Sequence, residues 1–285
     1  MKSLFQRIRS RLSSEKSSPP PYTTDETLAA STPKTRPALE MQAPTLAEWQ
    51  EAKSALELAA RPASLGQLGG FRPDDVTNRF TSWWGGNFLG ALGESIPRCE
   101  ETKAEMLPIF QLRVDELPSI PKALEGVKLL TLWFDVHTKH VWDARNGKGF
   151  VIRTYPSLKG LQPLGPGYRE HATMPTFPIR WHNLEQDLPD WSDFVDTIPT
   201  AVARAPDSEW FFGHPGNASR ANLQQDKTLK IGGYSQWWQE PQDVGEGEFV
   251  FLLDSTPRGQ FGLPAGGSAN FFKEGNSWRM LADNS

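Results

Sequence analysis

Apolar side chains recur at helical spacing from Leu46 through Trp49, Ala52 and Leu56 to Ala60, and Pro62 ends the run. Thr45 stands just ahead with Glu48 three residues on, the arrangement in which a hydroxyl and a carboxylate each satisfy an N–H of the first helical turn. These positions predict one amphipathic helix over about 46–60. Beyond it the period changes. Short apolar runs alternate with Pro and Gly, 24 of each in the chain, which suits strands joined by turns. Strands are predicted at residues 106–114, 127–136, 150–155, 209–212, 248–254, 268–272 and 278–281. A short second helix is predicted over 191–198, capped by Asp190 and stopped by Pro199.

The first 44 residues read differently. From Ser13 to Pro44 the chain is rich in Ser, Thr and Pro and almost free of bulky aliphatics, so it cannot bury enough surface to offset its ordering entropy and is expected to be a disordered linker. Residues 1–12 place Leu4, Phe5, Ile8 and Leu12 on one side of a helix, with Lys2, Arg7, Arg9 and Arg11 largely elsewhere. That pattern fits a solvated, partly helical tail or weak contact with an anionic membrane surface. The same arginines break any apolar core of a secretory signal, and no stretch reaches the ~18–20 apolar residues of a membrane span.

The most informative pattern is an approximate repeat. Ser82-Trp83-Trp84-Gly85-Gly86-Asn87 leads through a polar loop to Met106-Leu107-Pro108-Ile109-Phe110-Gln111-Leu112, and Lys230-Ile231-Gly232-Gly233-Tyr234-Ser235 leads through another to Phe249-Val250-Phe251-Leu252-Leu253-Asp254. Paired glycines after a strand-like run allow positive φ or a close approach of two backbones.

These residues carry a resemblance. Gly85-Gly86 with Ile96-Pro97-Arg98-Cys99 and the run from Pro108 to Pro118 resembles the front motif of the YwqG-like family of bacterial proteins of unknown function. Lys230-Ile231-Gly232-Gly233-Tyr234 with Gln239 and the run from Phe249 to Ser255 resembles its rear motif, and Leu129-Leu130-Thr131-Leu132-Trp133-Phe134-Asp135 its central strand. The similarity spans about 78–285, but the proline that usually follows each glycine pair is missing, with Phe88 and Ser235 near those places. The resemblance implies an α+β duplication dominated by antiparallel sheet and no transferable catalytic residues. Such domains often accompany bacterial polymorphic toxins as presumed immunity proteins.

Composition narrows the function further. The 30 Lys and Arg against 34 Asp and Glu give −4; residues 1–45 hold seven basic and four acidic side chains, +3, so the remainder stands at −7. An acidic body with a sequence pI near 5.8 argues against a chain-wide nucleic-acid surface. The single cysteine, Cys99, excludes an intramolecular disulfide framework and fits a reducing, cytoplasmic compartment.

Candidate chemistry is sparse. Asp135, His137, His140 and Asp143 fall within one short stretch, and a His-x-x-His with flanking carboxylates could offer ligands to a divalent metal, although the spacing matches no specific zinc signature. His171, His182 and His214 are scattered, and Glu100 and Glu101 beside Cys99 would raise a thiol pKa, which disfavours a cysteine nucleophile. There is no nucleophile elbow, no His-Glu-x-x-His and no P-loop; Gly147-Lys148-Gly149 lacks the surroundings of a phosphate cradle. Glu185 with Asp187, or Asp190 with Asp193, could do acid–base work, but acidic residues near turns commonly serve as caps. No cofactor is implied. The aromatic content stands out, with 11 Trp and 16 Phe beside 4 Tyr, and Trp83-Trp84 and Trp237-Trp238 adjoin the two glycine pairs. Neighbouring residues on a strand point to opposite faces, so one Trp of each pair can face outward, Trp84 and Trp237 among them, or both pairs can pack inside.

Taken together, the residues predict an α+β, mainly antiparallel β domain over 45–285 with two pseudo-repeated halves, about 78–160 and 205–285, behind a disordered basic tail over 1–44. The expected role is protein binding, through Trp83, Trp84, Trp237, Trp238 and Gln239, to a cognate bacterial toxin; the alternative is a carbohydrate-binding or glycan-hydrolysing domain with a Trp-rich surface. Limited proteolysis should remove residues before about Thr45 while the remainder keeps its thermal transition, because the tail offers little apolar surface to bury. A large loss of stability on truncation would show that the tail docks.

Overall fold

The computed structural model describes residues 43–70, 80–139, 142–165, 174–190, 194–203, 227–239 and 242–284. The predicted tail up to residue 42, the strand at 209–212, and His140, His171, Asp193 and His214 lie outside them. Helix α1 (Leu46–Ala59) begins as the capping box requires: the Glu48 N–H donates to Thr45 Oγ1 at 3.2 Å, and Glu48 Oε2 accepts the Thr45 N–H at 2.8 Å. Pro62 forces the residue before it into extended backbone. The helix therefore passes directly into a strand, β1 (Arg61–Leu68).

Twelve further strands follow in chain order: β2 (Trp83–Trp84), β3 (Leu89–Gly90), β4 (Leu107–Arg113), β5 (Leu129–Phe134), β6 (Asp143–Asn146), β7 (Gly149–Tyr155), β8 (Gln162–Pro163), β9 (Phe177–Asp187), β10 (Lys227–Gly232), β11 (Glu248–Asp254), β12 (Ser268–Glu274) and β13 (Ser277–Asp283). A four-residue helix, α2 (Thr200–Ala203), lies between β9 and β10. Eleven of the described strands close into a barrel in the order β1-β10-β11-β12-β13-β6-β7-β5-β4-β2-β9, while β3 and β8 pair separately. All barrel pairings are antiparallel except β6 with β7, which lie parallel over two residue pairs; Gly147 and Gly149, both near φ +95°, form the tight turn that sets the chain sideways there without reversing it.

A barrel of this girth needs large side chains to fill it. Phe251 stacks on Phe271 with centroids 4.4 Å apart, Phe110 and Phe150 meet them edge-on at 5.4 and 5.3 Å, and Phe261 contacts Phe134 and Trp84 at 5.6 and 6.1 Å. Leu130, Leu132 and Phe134 of β5 join this inner core, yet Leu129 and Trp133 on its other face are also buried. Outer coverings account for that: Trp133 lies under Phe88, Cys99 and Met106, and Leu129 joins Leu89 and Tyr155. Ala52 and Leu56 of α1 pack with Leu188, Phe194, Ile198 and Val202.

Two expectations are corrected. The fold is mainly β, a single closed barrel, and not an α+β domain of two pseudo-repeated halves. The barrel is sealed by β1 and β9, which belong to neither predicted half and pair with one another along nearly their whole length, and β6 from the first stretch pairs with β13 from the second. Neither sealing strand was predicted. β1 escaped notice because Ala63, Ser64 and Gly66 break up its apolar pattern, and the last is squeezed between neighbours: a Cβ on Gly66 would lie 2.9 Å from the Trp181 ring and 3.0 Å from Leu229. β9 carries scattered polar residues because positions such as Arg180, Asn183 and Glu185 are exposed. Within the predicted second helix, residues 191–193 lie outside the description, and the chain forms a 3-10 turn at Val195–Thr197.

The last residue of β11, Asp254, is almost fully buried, and its Oδ1 accepts one hydrogen bond, from the Ser255 N–H at 2.8 Å. Burial pushes its carboxyl up from 3.8 to about 6. Well below pH 3.8 the group is neutral in both folded and unfolded chains; as pH rises from there towards 6 the unfolded chain ionises while the folded one keeps its proton, so this group lowers stability across that window. Asp254→Asn should therefore stabilise the protein above pH 6 by up to about 3 kcal/mol and change little near pH 4. Denaturant unfolding of both proteins at pH 4, 6 and 8 checks this; a difference independent of pH would refute it.

Candidate partner-binding site

Both glycine pairs lie at the end of a strand and take left-handed backbone, with φ of +62° and +86° at Gly85 and Gly86 and +78° and +71° at Gly232 and Gly233. Space constrains them as well. A Cβ on Gly85 would collide with the Pro175 carbonyl oxygen, and one on Gly233 would collide with Asp187 Oδ2.

The second contact explains the Lys-Ile-Gly-Gly-Tyr run. Lys230 points outward from β10, where Leu65 of β1 and Leu252 of β11 flank it, and its ammonium donates to Asp187 Oδ2 at 2.7 Å with neither side chain exposed. The same oxygen accepts the Tyr234 N–H at 2.8 Å, which requires the backbone at Gly233 to pass close beside it. Among the described residues Asp187 Oδ1 is buried without a hydrogen-bond partner. Tyr234 then donates its hydroxyl to the Ala59 carbonyl at the end of α1 at 2.5 Å, and the Arg61 guanidinium lies 4.3 Å from its ring centre. Sequence reasoning missed this node because a buried lysine has no local signature. The abrupt Gly-Gly after Lys-Ile was its one trace.

The predicted binding residues separate. Trp84 faces into the barrel, where its indole N–H donates to the Gly259 carbonyl at 3.0 Å, and Trp83 is buried on the opposite face of β2. Trp237 is buried too, parallel to Phe272 at 6.3 Å and beside Leu281. The outward placement of Trp84 and Trp237 is thus corrected: on β2 strand alternation does turn successive rings to opposite faces, but both faces are covered, and Trp237, which lies outside any strand, packs down onto the sheet. Trp238 alone of the four emerges, 44% exposed, followed by exposed Gln239. Asp283 at the end of β13 holds their backbone, its Oδ2 accepting the Trp238 N–H at 2.5 Å and the Gln239 N–H at 2.9 Å. Trp142 was not anticipated. It is 43% exposed, and its carbonyl accepts the N–H of Ala282, the residue next to Asp283, at 2.8 Å.

The other candidates disperse. His137 is exposed, and its backbone N–H donates to Asp135 Oδ1 at 2.8 Å, while Asp135 Oδ2 accepts the Thr102 hydroxyl at 2.6 Å; this buried carboxylate holds a turn in place. Asp143 instead binds Arg279 through both oxygens on the surface. Among the described residues no three His, Cys, Asp or Glu side chains are placed to hold a metal ion, and His140 lies outside them. His182 Nε2 lies 2.9 Å from Gln67 Oε1. Glu185 is exposed and Asp187 is locked to Lys230, so these two do not form an acid–base pair. Cys99 is buried among Phe88, Met106 and Trp133. No described helix is long and apolar enough to cross a membrane.

The chain matches no protein-family model, and no curated protein matches it in sequence.

Removing one partner of a buried ion pair leaves the other charge desolvated. Lys230→Met should cost about 3–5 kcal/mol in urea unfolding. Lys230→Met with Asp187→Asn should cost less than the single change, because an amide in place of the carboxylate can still accept the Tyr234 N–H without carrying a charge. A double variant at least as unstable as Lys230→Met would show that charge is not the controlling factor.

Proposed function

We propose that this chain is a binding protein of YwqG-like type that neutralises a cognate bacterial toxin in the cytoplasm by direct contact. The observation that carries the reading is the Trp238–Gln239 segment: a large ring and an amide held outward by a buried carboxylate, on a barrel whose interior is occupied by its own aromatic side chains. An exposed Trp on a rigid frame is the type of residue that dominates binding energy at protein interfaces. The charge of −7 outside residues 1–45 adds long-range attraction for a basic partner such as a nucleic-acid-degrading toxin. The resemblance to a family whose members accompany polymorphic toxins supplies the biological setting. A sugar-binding reading draws on the same exposed rings beside the Gln239 amide; its hydrolytic form loses the Glu185 and Asp187 pair to the buried ion pair.

Co-expression with the toxin encoded beside this chain tests the proposal. Cells should survive, the complex should form without turnover, and association should slow as salt rises, since exposed charges are screened beyond about 8 Å at physiological ionic strength. Equal killing with and without this protein, or glycan hydrolysis by the purified chain, would overturn it.

A further inference from the structure

We infer that the Lys230 amine and the Asp187 carboxyl condense into an amide, a covalent cross-link between strands that seal the barrel. The inference concerns the frame and stands whichever partner the surface takes. Lys230 Nζ lies 2.7 Å from Asp187 Oδ2, and neither side chain has any exposure to water. Leu65 and Leu252 flank the lysine in register and form an apolar cluster with Leu184 and Phe249, whose ring centre is 5.9 Å from Nζ. The carboxyl is held still as well. The Tyr234 N–H donates to Oδ2 at 2.8 Å, and the Gly233 backbone lies so close that a Cβ there would come within 2.8 Å of Asp187 Cγ. Among the described residues Asp187 Oδ1 is buried without a hydrogen-bond partner.

These features give the two oxygens different parts. A proton passing from Nζ to the carboxyl leaves an amine and a carboxylic acid, a neutral pair that suits a site without water better than two charges. The Nζ lone pair then attacks Cγ, and negative charge gathers on Oδ2, where the Tyr234 N–H is already placed to stabilise it. The Cγ–Oδ1 bond breaks, and Oδ1 departs as water carrying two of the three ammonium hydrogens while the third stays on the amide nitrogen. Ammonium and carboxylate thus become amide and water with no co-reactant. Groups fixed in reacting position behave as if present at about 10⁵–10⁸ M, which drives the step within one chain. The product joins β9 to β10 across β1 and closes a loop from Asp187 to Lys230. Such a loop persists on unfolding and restricts the unfolded chain, which stabilises the barrel.

The test is the mass of the full chain, measured intact after denaturation. It should be one water lighter than the sequence requires, and proteolytic digestion should yield a branched peptide joining the Asp187 and Lys230 segments. On a denaturing gel the chain should run ahead of Lys230→Arg and Asp187→Ala, and both variants should show the full mass of their sequences. Any fraction still unlinked in fresh protein should lose its water at a rate independent of protein concentration, because both groups belong to one chain. The full sequence mass in wild-type protein held folded for days would overturn the inference, and so would a lost water that maps to other residues. The wild-type mass and its peptide map decide the matter even where a variant fails to fold.

Discussion

An ammonium and a carboxylate, both without access to water, hold the sealing strands of this barrel in register. Lys230 on β10 reaches Asp187 at the end of β9 across the outer face of β1. Two charges buried this way are tolerable only in contact, because each alone would have lost its hydration without compensation. The surroundings follow from that requirement. Position 233 must be glycine to admit the carboxylate, the Tyr234 N–H is turned onto the same oxygen, and the Tyr234 ring is left between Arg61 and the last turn of α1. The tyrosine hydroxyl serves the Ala59 carbonyl, near a helix end where carbonyls lack intrahelical donors. One ion pair thereby joins α1, β1, β9 and β10.

The rest of the architecture answers a second demand, that of filling a barrel of eleven strands. Edge-on and stacked phenylalanines occupy the interior, which leaves the strands' outer surfaces and the segments crossing them as the places where recognition can occur. Most of that outer surface is covered as well. Trp237 packs over Phe272 and Leu281 and so brings the backbone of Trp238 within reach of Asp283. Anchoring and exposure are thus adjacent properties of one dipeptide: the first ring binds the segment to the sheet and the second is left outside.

The contrast between the two tryptophan pairs shows how far local pattern reaches. Trp83-Trp84 and Trp237-Trp238 look alike in sequence, each beside a Gly-Gly turn. Trp83-Trp84 lies within a strand between β4 and β9 and is buried on both faces, whereas Trp237-Trp238 crosses over a sheet and is buried on one. Trp142 carried no signal, since its place next to Ala282 depends on β6 pairing with β13, a contact between residues more than a hundred positions apart. Asp135 and His137, close in sequence, could have offered ligands to a metal by residue type alone, but the carboxylate is used to hold a turn.

By itself the sequence determined what depends on neighbours along the chain: the capped helix that Pro62 stops, the runs that became β4, β5, β7, β11, β12 and β13, the left-handed glycine pairs, and the acidity outside the first 45 residues. Each follows from side-chain period, backbone sterics or a sum of charges, which act over a few residues or need no geometry. Only the tertiary structure decided that these strands close into one barrel, that β1 and polar β9 seal it, that Lys230 is buried against Asp187, and that Trp237 is buried while Trp238 is left outside. Those outcomes rest on contacts between distant segments, where burial is set by what lies on the far side of a strand, and no local pattern encodes that.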